Sequence, residues 1–181
     1  NERLNAQVEK VLNIAKLEKD QFKLKLEAIE LEEFVRKIIE QEKIKFDIPG
    51  GDIALVSDHK NIVVKADPIH FNNVLSNILD NSLKYSGNNP DVHVIIRTKN
   101  NKVVIEIKDH GIGIDEDQIK NLFNKFYRIS TGDIHDVKGF GLGLYYVKNI
   151  CDAHGWDIEV QSKVGIGTSV FLEIPTIKPY G

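Results

Sequence analysis

The 181-residue chain contains no methionine, a single cysteine and no long apolar run. The lone Cys151 excludes an intramolecular disulfide and fits a reducing compartment, where a free thiol serves as a small apolar side chain. No stretch approaches the roughly eighteen apolar residues of a membrane-spanning helix, and we find no signal-peptide pattern. With Asn1 first and methionine absent, we expect a fragment of a longer protein.

An excess of basic residues is also missing. Lysine and arginine number 24 against 27 acidic residues, which gives a net charge of −3 and a pI near 6.1. This balance argues against a surface that binds nucleic acid. A hydrophobic content of 41% can build a core, and the length fits one domain with an appendage.

The first twenty residues place apolar side chains at alternating four- and three-residue steps, at Leu4, Val8, Val11 and Ala15. Charged and amide residues fill the other positions, so the segment 2–20 predicts a helix with a narrow apolar seam. Two heptads are too short for a stable isolated helix, which indicates a partner helix from the parent chain or from a second copy. An ordinary surface helix lying on the domain explains the pattern equally well.

Downstream, helical and strand patterns alternate and predict an α+β sandwich, with helices on one face of a mixed, mostly antiparallel sheet. Asp67 and Pro68 are typical of a helix N-cap and first turn, and Asn100-Asn101 predicts a tight hairpin. The predicted elements are a strand or extended linker over 22–31, helices over 31–40, 68–85, 115–127 and 142–154, and strands over 43–48, 61–67, 92–98, 102–109, 157–162 and 169–174.

The helix over 68–85 carries Asn73, Asn77 and Asn81 at four-residue steps, with Asp80 and Lys84 beside them. Asparagine is a poor helix former, and glutamate or lysine would make the same face soluble at less cost. The stripe therefore indicates that amide groups are needed there, although a solvated face is the alternative. Amide oxygens suit a hard cation such as Mg²⁺, whose remaining ligands are waters and phosphate oxygens.

Two glycine-rich stretches follow. Asp109, Gly111 and Gly113 leave a predicted strand, where the carboxylate can accept a hydrogen bond from a ligand N–H; a plain turn is the alternative. The stretch KGFGLGLYYVKNI (138–150) has neither the P-loop spacing nor that of a dinucleotide fingerprint. It remains a glycine loop at a helix N-terminus, whose free N–H groups favour anionic oxygens.

Five motifs in this order resemble the N box, the F box and the three glycine boxes of bacterial sensor histidine kinases. Each motif is weak alone, but the ordered set over roughly residues 61–175 is specific. The resemblance implies an ATP-binding catalytic domain over 31–177, a linker strand over 21–30, and the end of the dimerisation and phosphoacceptor domain over 1–20. The motifs are NILDNSLKYS (77–86), DHGIG (109–113), FNKFYR (123–128), GFGLG (139–143) and GIGT (165–168).

The resemblance also implies the site residues, position by position. Asn81 resembles the asparagine that binds Mg²⁺, and Asp109 resembles the aspartate that binds the adenine amino group. The implied ATP-binding set is Asn77, Asn81, Lys84, Tyr85, Asp109, Gly111, Gly113, Phe123, Phe126, Gly139, Gly141, Leu142, Gly143 and Thr168. The implied catalytic set is Asn77, Lys84, Arg128 and Lys138. For the three cations among them, an ordinary solvated surface charge is the alternative. The resemblance also implies that the stretch 129–138 is an ATP lid.

The resemblance bears on the reaction as well. The gyrase, mismatch-repair and chaperone ATPases of the same fold place a water-activating glutamate four residues before the metal-binding asparagine. Here that residue is Asn77, which cannot act as a general base, and this favours phosphoryl transfer over hydrolysis. None of the six histidines lies in an acceptor motif, so we expect the acceptor histidine outside this chain, and no pairing of histidines along the sequence indicates a metal site. A hydrolysing ATPase and a nucleotide-holding pseudokinase are the alternatives.

The implied partners are ATP, a second copy joined through the N-terminal helix, the phosphoacceptor domain, and a response regulator that meets the full-length protein. Nucleic acid and direct membrane contact are not expected, and the implied location is cytoplasmic. Two features depart from the family pattern. Trp156 stands where the family often has glycine, and the spacing after Leu31 is short, which indicates a truncated loop or residues missing around 40–43.

Overall fold

The computed structural model describes residues 23–46, 52–58, 61–87, 90–129 and 140–177. The predicted N-terminal helix over 2–20 and most of the predicted lid lie outside these residues. None of the helices in the described ranges combines the length and apolarity that crossing a bilayer requires. The elements are β1 Glu27–Glu30, α1 Leu31–Phe46, β2 Asp52–Ser57, β3 Val63–Ala66, α2 Pro68–Tyr85, β4 Asp91–Lys99, β5 Lys102–Asp109, α3 Glu116–Ile119, α4 Gly143–His154, β6 Asp157–Lys163 and β7 Gly167–Pro175.

The five-stranded sheet has the order β2-β4-β5-β7-β6. Strand β2 runs parallel to β4, and the other three pairings are antiparallel. Strands β1 and β3 form a separate antiparallel pair. The sheet is therefore mixed and mostly antiparallel, and the predicted fold class is confirmed.

Alternation along the strands gives the sheet two unlike faces. On β4, Val92, Val94 and Ile96 are at most 1% exposed and pack under the helices. Helix α2 contributes Phe71, Val74, Leu75, Ile78 and Leu79, all of them 2% exposed or less. Each such side chain contributes about 1.5–3 kcal/mol through burial. The opposite side, which we call the open face, carries polar outward side chains of β4 and β5, which include Asp91, His93, Arg97, Glu106 and Lys108.

Helix α2 begins and ends where the sequence predicts. The Asp67 side chain accepts hydrogen bonds from the N–H groups of Ile69 and His70, Pro68 occupies the first turn, and the helix ends at Tyr85 before Ser86. The cap satisfies N–H groups that have no partner inside the helix. This fixes the position of the asparagine stripe relative to the sheet.

The strand predicted over 43–48 is wrong. Helix α1 continues through Lys43 and Ile44 to Phe46, and Ile44 is 81% exposed, where a strand would bury it. The alternation spans only the six residues from Lys43 to Ile48, and no helix breaker precedes Pro49, so a helix can continue into this segment. The strand forms later, as β2. The apparently short spacing in this region results from the misplaced strand.

The helix predicted over 115–127 is also largely wrong. Asp115 caps the segment as a helix N-terminus, but only Glu116–Ile119 is helical. Beyond it, N–H groups bond to carbonyls three residues back, as in Asn121 to Gln118 and Asn124 to Asn121. Phe126 has φ of 64°, which stops any helix. Tertiary contacts of this segment override its local helical pattern.

Candidate functional site

The asparagine stripe of α2 faces α4 at its N-terminal end and opens towards its C-terminal end. Asn73 donates to the Tyr146 hydroxyl at 3.4 Å, and the buried Asn77 donates from Nδ2 to the Asn73 carbonyl at 2.6 Å. The Oδ1 atom of Asn77 lies against Gly143, the first residue of α4: a Cβ added there would be 3.2 Å from it. The stripe is thus more than a solvated face, because two of its members join two helices.

Asn81 differs from these two asparagines. It is half-buried, and within the described ranges no hydrogen bond engages its side-chain amide. Asp80, the residue directly before it, and Lys84, about one turn after it, form an ion pair with each other. Asn81 therefore presents an amide oxygen that the protein leaves open, beside a lysine whose charge is partly compensated.

Asp109 lies at the end of β5, where the strand passes beneath α2. Its side chain is 6% exposed, and Oδ1 accepts hydrogen bonds from the N–H groups of Gly111 at 2.9 Å and Thr168 at 3.1 Å. The other oxygen, Oδ2, has no hydrogen-bond partner among the described residues. Every fully buried side-chain oxygen in those residues has a partner, so Oδ2 is not fully buried. Oδ2 is therefore reachable from outside. One oxygen fixes the carboxylate, and the second is presented to a ligand.

Thr168 supports this arrangement from β7. Its backbone N–H bonds to Asp109, and its hydroxyl lies 2.8 Å from the hydroxyl of Ser162 on β6. Ser162 also accepts from the N–H of Ile114 at 2.8 Å. Ser162 was not among the residues that the sequence pointed to, and a single serine in a strand carries no pattern that would reveal this role.

Gly111 and Gly113 are required by the packing of the chain itself. A Cβ at Gly111 would lie 2.4 Å from the carbonyl oxygen of Tyr85, and one at Gly113 would lie 2.0 Å from that of Lys163. Gly113 also has φ of 69°, which other residues rarely adopt. The loop after β5 is thereby pressed against the end of α2, where the Ile112 N–H bonds to the Tyr85 carbonyl at 3.1 Å.

The N-terminus of α4 lies at the other end of the site. Its N-cap is Leu142, whose side chain makes no capping hydrogen bond to the first-turn N–H groups. The carbonyl of Gly141 accepts from the N–H of Phe126 at 3.0 Å, which joins the F box to the glycine loop. Gly139 and Lys138, both expected in the site, lie outside the described residues.

The segment before the lid contributes aromatic and basic side chains of unequal burial. Phe123 is half-buried and packs on the core, whereas Phe126 is 64% exposed. Arg128 is exposed and lies near Tyr85: burial raises the pKa of the Tyr85 hydroxyl, and the positive charge of Arg128 partly opposes this. Arg128 thus lies at the Asp109 end of α2.

Helix α2 spaces the parts of the site. It contacts the start of α4 at Asn77 and the loop after Asp109 at Tyr85. These two residues are eight positions apart, a rise of about 12 Å along the helix, with Asn81 midway. The N-terminus of α4, the open amide oxygen of Asn81 and the open carboxylate oxygen of Asp109 are therefore placed in sequence along α2. This suits an extended ligand with an anionic end and an N–H donor at the other.

At its N-terminus, α2 takes part in a different polar cluster, centred on Asp67 and His154. Asp67 Oδ2 accepts from the Lys25 N–H at 2.8 Å, and the Asp67 N–H donates to His154 Nε2 at 3.0 Å. His154 Nδ1 in turn bonds the Ile150 carbonyl at 2.8 Å, and its ring stacks on Trp156. We call this group the Asp67 cluster. It lies away from the asparagine and aspartate positions described above.

A third polar group was missed in the sequence. Asp91, His93 and His110 lie together on the open face, although no histidine pairing is visible along the chain. The predicted hairpin could have revealed them, because a turn at Asn100-Asn101 places position 110 opposite position 91.

Comparison with known proteins identifies the class to which this domain belongs. The chain belongs to the family of histidine kinase-, DNA gyrase B- and HSP90-like ATPases, whose pattern matches residues 66–178. Sensor protein RprX of Bacteroides fragilis (strain YCH46) is 38% identical over 178 residues, which are 97% of this chain and 34% of that protein. The chain thus spans about a third of this relative's length.

Two solved structures are similar in fold. The catalytic domain of the histidine kinase ThkA superposes with a TM-score of 0.73 at 24% identity, over 84% of this chain and 98% of that one. Full-length ShkA in complex with AMPPNP superposes with a TM-score of 0.85 at 23% identity, over 99% of this chain and 37% of that one. At these identities the likeness shows the shared fold.

Proposed function

We propose that this chain binds Mg²⁺-ATP and donates the γ-phosphoryl group to a histidine on the dimerisation domain of its parent protein, in two-component signal transduction. The observation that carries the proposal is the open Oδ2 of Asp109, held in place through Oδ1. A fixed, reachable carboxylate oxygen at a strand end is suited to accept a hydrogen bond from the adenine amino group. RprX, which is similar over nearly the whole chain, is a sensor protein, and ShkA was solved with AMPPNP.

The residues present fit Mg²⁺ at Asn81. This cation takes oxygen ligands and keeps several waters, so one open amide oxygen together with phosphate oxygens satisfies it. Asn77 lies one turn before, with its Oδ1 towards the start of α4. When bound, Mg²⁺ neutralises charge on the phosphates, which is much of what phosphoryl transfer requires.

The phosphates would lie at the N-terminus of α4. The side chain of its N-cap residue, Leu142, makes no capping hydrogen bond, and a helix N-terminus favours anionic oxygens. Gly141, Leu142 and Gly143 supply this backbone, and Gly139 is proposed to extend it. Lys84, Arg128 and Lys138 are the proposed cations, and Tyr85, Phe123 and Phe126 are proposed to line the nucleotide.

Transfer is favoured over hydrolysis by Asn77. Its amide is buried, donates to the Asn73 carbonyl, and has no basic lone pair for a water molecule. In the proposed reaction the bond between the γ-phosphorus and its bridging oxygen breaks, a phosphorus–nitrogen bond to the acceptor imidazole forms, and ADP leaves. We propose that a helix over 2–20 joins two copies and that a response regulator receives the phosphoryl group.

The test combines transfer with base recognition. The chain is incubated with Mg²⁺, γ-labelled ATP or inosine triphosphate, and the separately purified dimerisation domain of the parent protein. We expect label on a histidine of that domain, with ATP preferred. In Asp109→Asn, Oδ1 can keep both backbone bonds while a donor replaces Oδ2, so the preference for ATP over inosine triphosphate should fall at least about tenfold.

Asp117→Asn is the matched control, because the same change is made at a carboxylate whose side chain is 95% exposed; it should keep the wild-type preference. Rapid release of free phosphate without labelling would identify a hydrolysing ATPase. Tight ATP binding with neither transfer nor release would identify a nucleotide-holding module. An unchanged base preference in Asp109→Asn would remove the proposed role of that carboxylate.

A further inference from the structure

Three metal-ligand side chains converge on the open face of the sheet. The Asp91 carboxylate lies between two imidazoles, with Oδ1 3.1 Å from His93 Nε2 and Oδ2 3.2 Å from His110 Nδ1. One ligand atom from each residue lies within 4.8 Å of the other two. The two rings stand almost at right angles, at 86°, with centroids 6.0 Å apart. We call this group the histidine cluster.

Strand register creates the cluster. Asp91 and His93 are two residues apart on β4, so both project to the same side. Val92 pairs with Asp109 in the antiparallel ladder, and the next step of that register places His110 beside Asp91. Two of the ligands thus lie on β4, and His110 follows directly after β5, the strand hydrogen-bonded to β4 in the middle of the sheet.

We propose that Asp91, His93 and His110 form a binding site for a divalent transition metal ion, for which Zn²⁺ is the probe. Imidazole and carboxylate together suit Zn²⁺ and its neighbours in the first transition row. Two ligand atoms each about 2.1 Å from such an ion, at tetrahedral or octahedral angles, lie about 3.0–3.4 Å apart. Each imidazole nitrogen lies within this range of one Asp91 oxygen, His93 of Oδ1 and His110 of Oδ2, and one ligand atom from each of the three residues lies within 4.8 Å of the others. Three protein ligands leave positions for water.

The surroundings favour a cation. Asp52 on β2 is in register with Asp91 and lies on the same face, where it adds negative charge partly compensated by its contact with Lys43. Lys108, which lies across from His93 on β5, carries a positive charge that opposes cation binding. The single thiol does not compete for the metal, because Cys151 is fully buried and burial raises its pKa to about 12.

The histidine cluster is separate from the proposed nucleotide site. Asp109 and His110 are consecutive, and Asp109 is buried on the helix side while His110 is exposed on the open face. Mg²⁺ prefers an all-oxygen environment, so it should not displace Zn²⁺ from imidazoles. The two sites can therefore be tested independently, with the metal titrated in the absence of nucleotide.

The experiment is calorimetric titration of Zn²⁺ into the untagged, nucleotide-free protein, with visible d–d absorption of Co²⁺ as a second probe. One ion should bind per chain, and a large excess of Mg²⁺ should leave binding unchanged. His93→Ala, His110→Ala and Asp91→Ala each remove a ligand. Each should weaken Zn²⁺ binding by more than about tenfold, since loss even of a group that only supports a ligand costs about 10- to 100-fold.

Matched controls separate the cluster from general histidine binding. His70→Ala removes a histidine on α2 that lies outside the cluster, and Glu159→Gln removes an exposed carboxylate on the edge strand β6. Both variants should bind Zn²⁺ as the wild type does. Thermal unfolding with chelator shows whether the ligand variants fold, and Zn²⁺ should raise the melting temperature of the wild type alone. Absent Zn²⁺ binding, or binding unchanged in the three ligand variants, would overturn the proposal.

Discussion

The polar groups near the two ends of helix α2 are of similar chemistry but differ in whether they have hydrogen-bond partners. At its N-terminus, both oxygens of Asp67 and both ring nitrogens of His154 have hydrogen-bond partners. Towards its C-terminus, the amide of Asn81 and one oxygen of Asp109 have none among the described residues. Buried polar groups are costly unless they are paired. The fully hydrogen-bonded groups near the N-terminus of α2 thus serve stability, and the groups without partners near its C-terminus are those proposed to bind a ligand.

The ionisation of the Asp67 cluster reflects its complete pairing. Burial alone would raise the pKa of Asp67, but the N–H donors of Lys25, His70 and Ile69 stabilise the carboxylate and hold its pKa below the ordinary value. Burial lowers the pKa of His154, although its bond to the Ile150 carbonyl and the nearby charge of Asp67 oppose the shift. The folded protein therefore selects a charged aspartate and a neutral histidine.

The largest expected effect is that of Asp67→Ala. It removes the cap of α2 and leaves three backbone N–H groups without their acceptor, so the free energy of unfolding should fall by about 2–4 kcal/mol. Urea denaturation measures this. Asp115→Ala is the matched control, because Asp115 caps the four-residue helix α3 through one bond, to the Asp117 N–H. It should cost about 0.5 kcal/mol. Equal losses would show that the Asp67 cluster is not a structural centre.

Acid should weaken the same end of the molecule. Because the pKa of His154 is lower in the folded state, its contribution is fully present above the ordinary imidazole value of 6.5 and is lost as the pH falls below it. Protonation puts a hydrogen on Nε2, which can then no longer accept from Asp67. Urea midpoints between pH 7.5 and pH 5, in chelator, should therefore decline.

The control for this measurement is His154→Gln. It should be less stable at pH 7.5 and show a shallower decline towards pH 5. Some slope should remain, because burial also lowers the pKa of His70. The assignment to His154 fails if wild type and variant lose stability in parallel over this range.

The smallest effect on stability is expected at Asn81. No described residue bonds to its side chain, and alanine is the better helix former, so Asn81→Ala should leave stability unchanged or raise it by about 0.5 kcal/mol. Nucleotide binding should nevertheless lose its dependence on Mg²⁺, as measured by titration with and without the cation. Asn72→Ala makes the same change elsewhere on α2; its effect on stability should be equally small, and the Mg²⁺ dependence of nucleotide binding should stay as in the wild type. A loss of stability with Mg²⁺ dependence retained would place Asn81 with the structural residues.

Much of the fold could be predicted because it rests on local patterns. Asp67 and Pro68 define the start of α2, Asn100-Asn101 defines the hairpin, and alternation along β4 and β5 shows which side is buried. Each of these signals depends on neighbours within a few residues. The predictions failed where the local signal was short or ambiguous. The alternation at 43–46 belongs to a helix, and beyond Ile119 turns replace the predicted helix.

The candidate site could be predicted only as separate motifs. Their order along the chain pointed to Asn77, Asn81 and Asp109, but not to which atoms the protein itself uses. The structure shows that Asp109 is held through one oxygen and open at the other. It also shows that Gly111 and Gly113 are required by backbone packing. Distances between motifs depend on how helices pack on the sheet, which no short spacing encodes.

The sequence by itself determined the capped helix, the hairpin, the two-faced sheet and the family, because these follow from periodicity, caps and motif order. Tertiary structure alone decided which polar groups are satisfied. Asp67 meets His154 across 87 residues of chain, Asn77 meets Gly143 where two helices cross, and Asp91 gathers His93 and His110 through strand register. Those contacts form when elements pack against one another, so they are settled by the shape of the core.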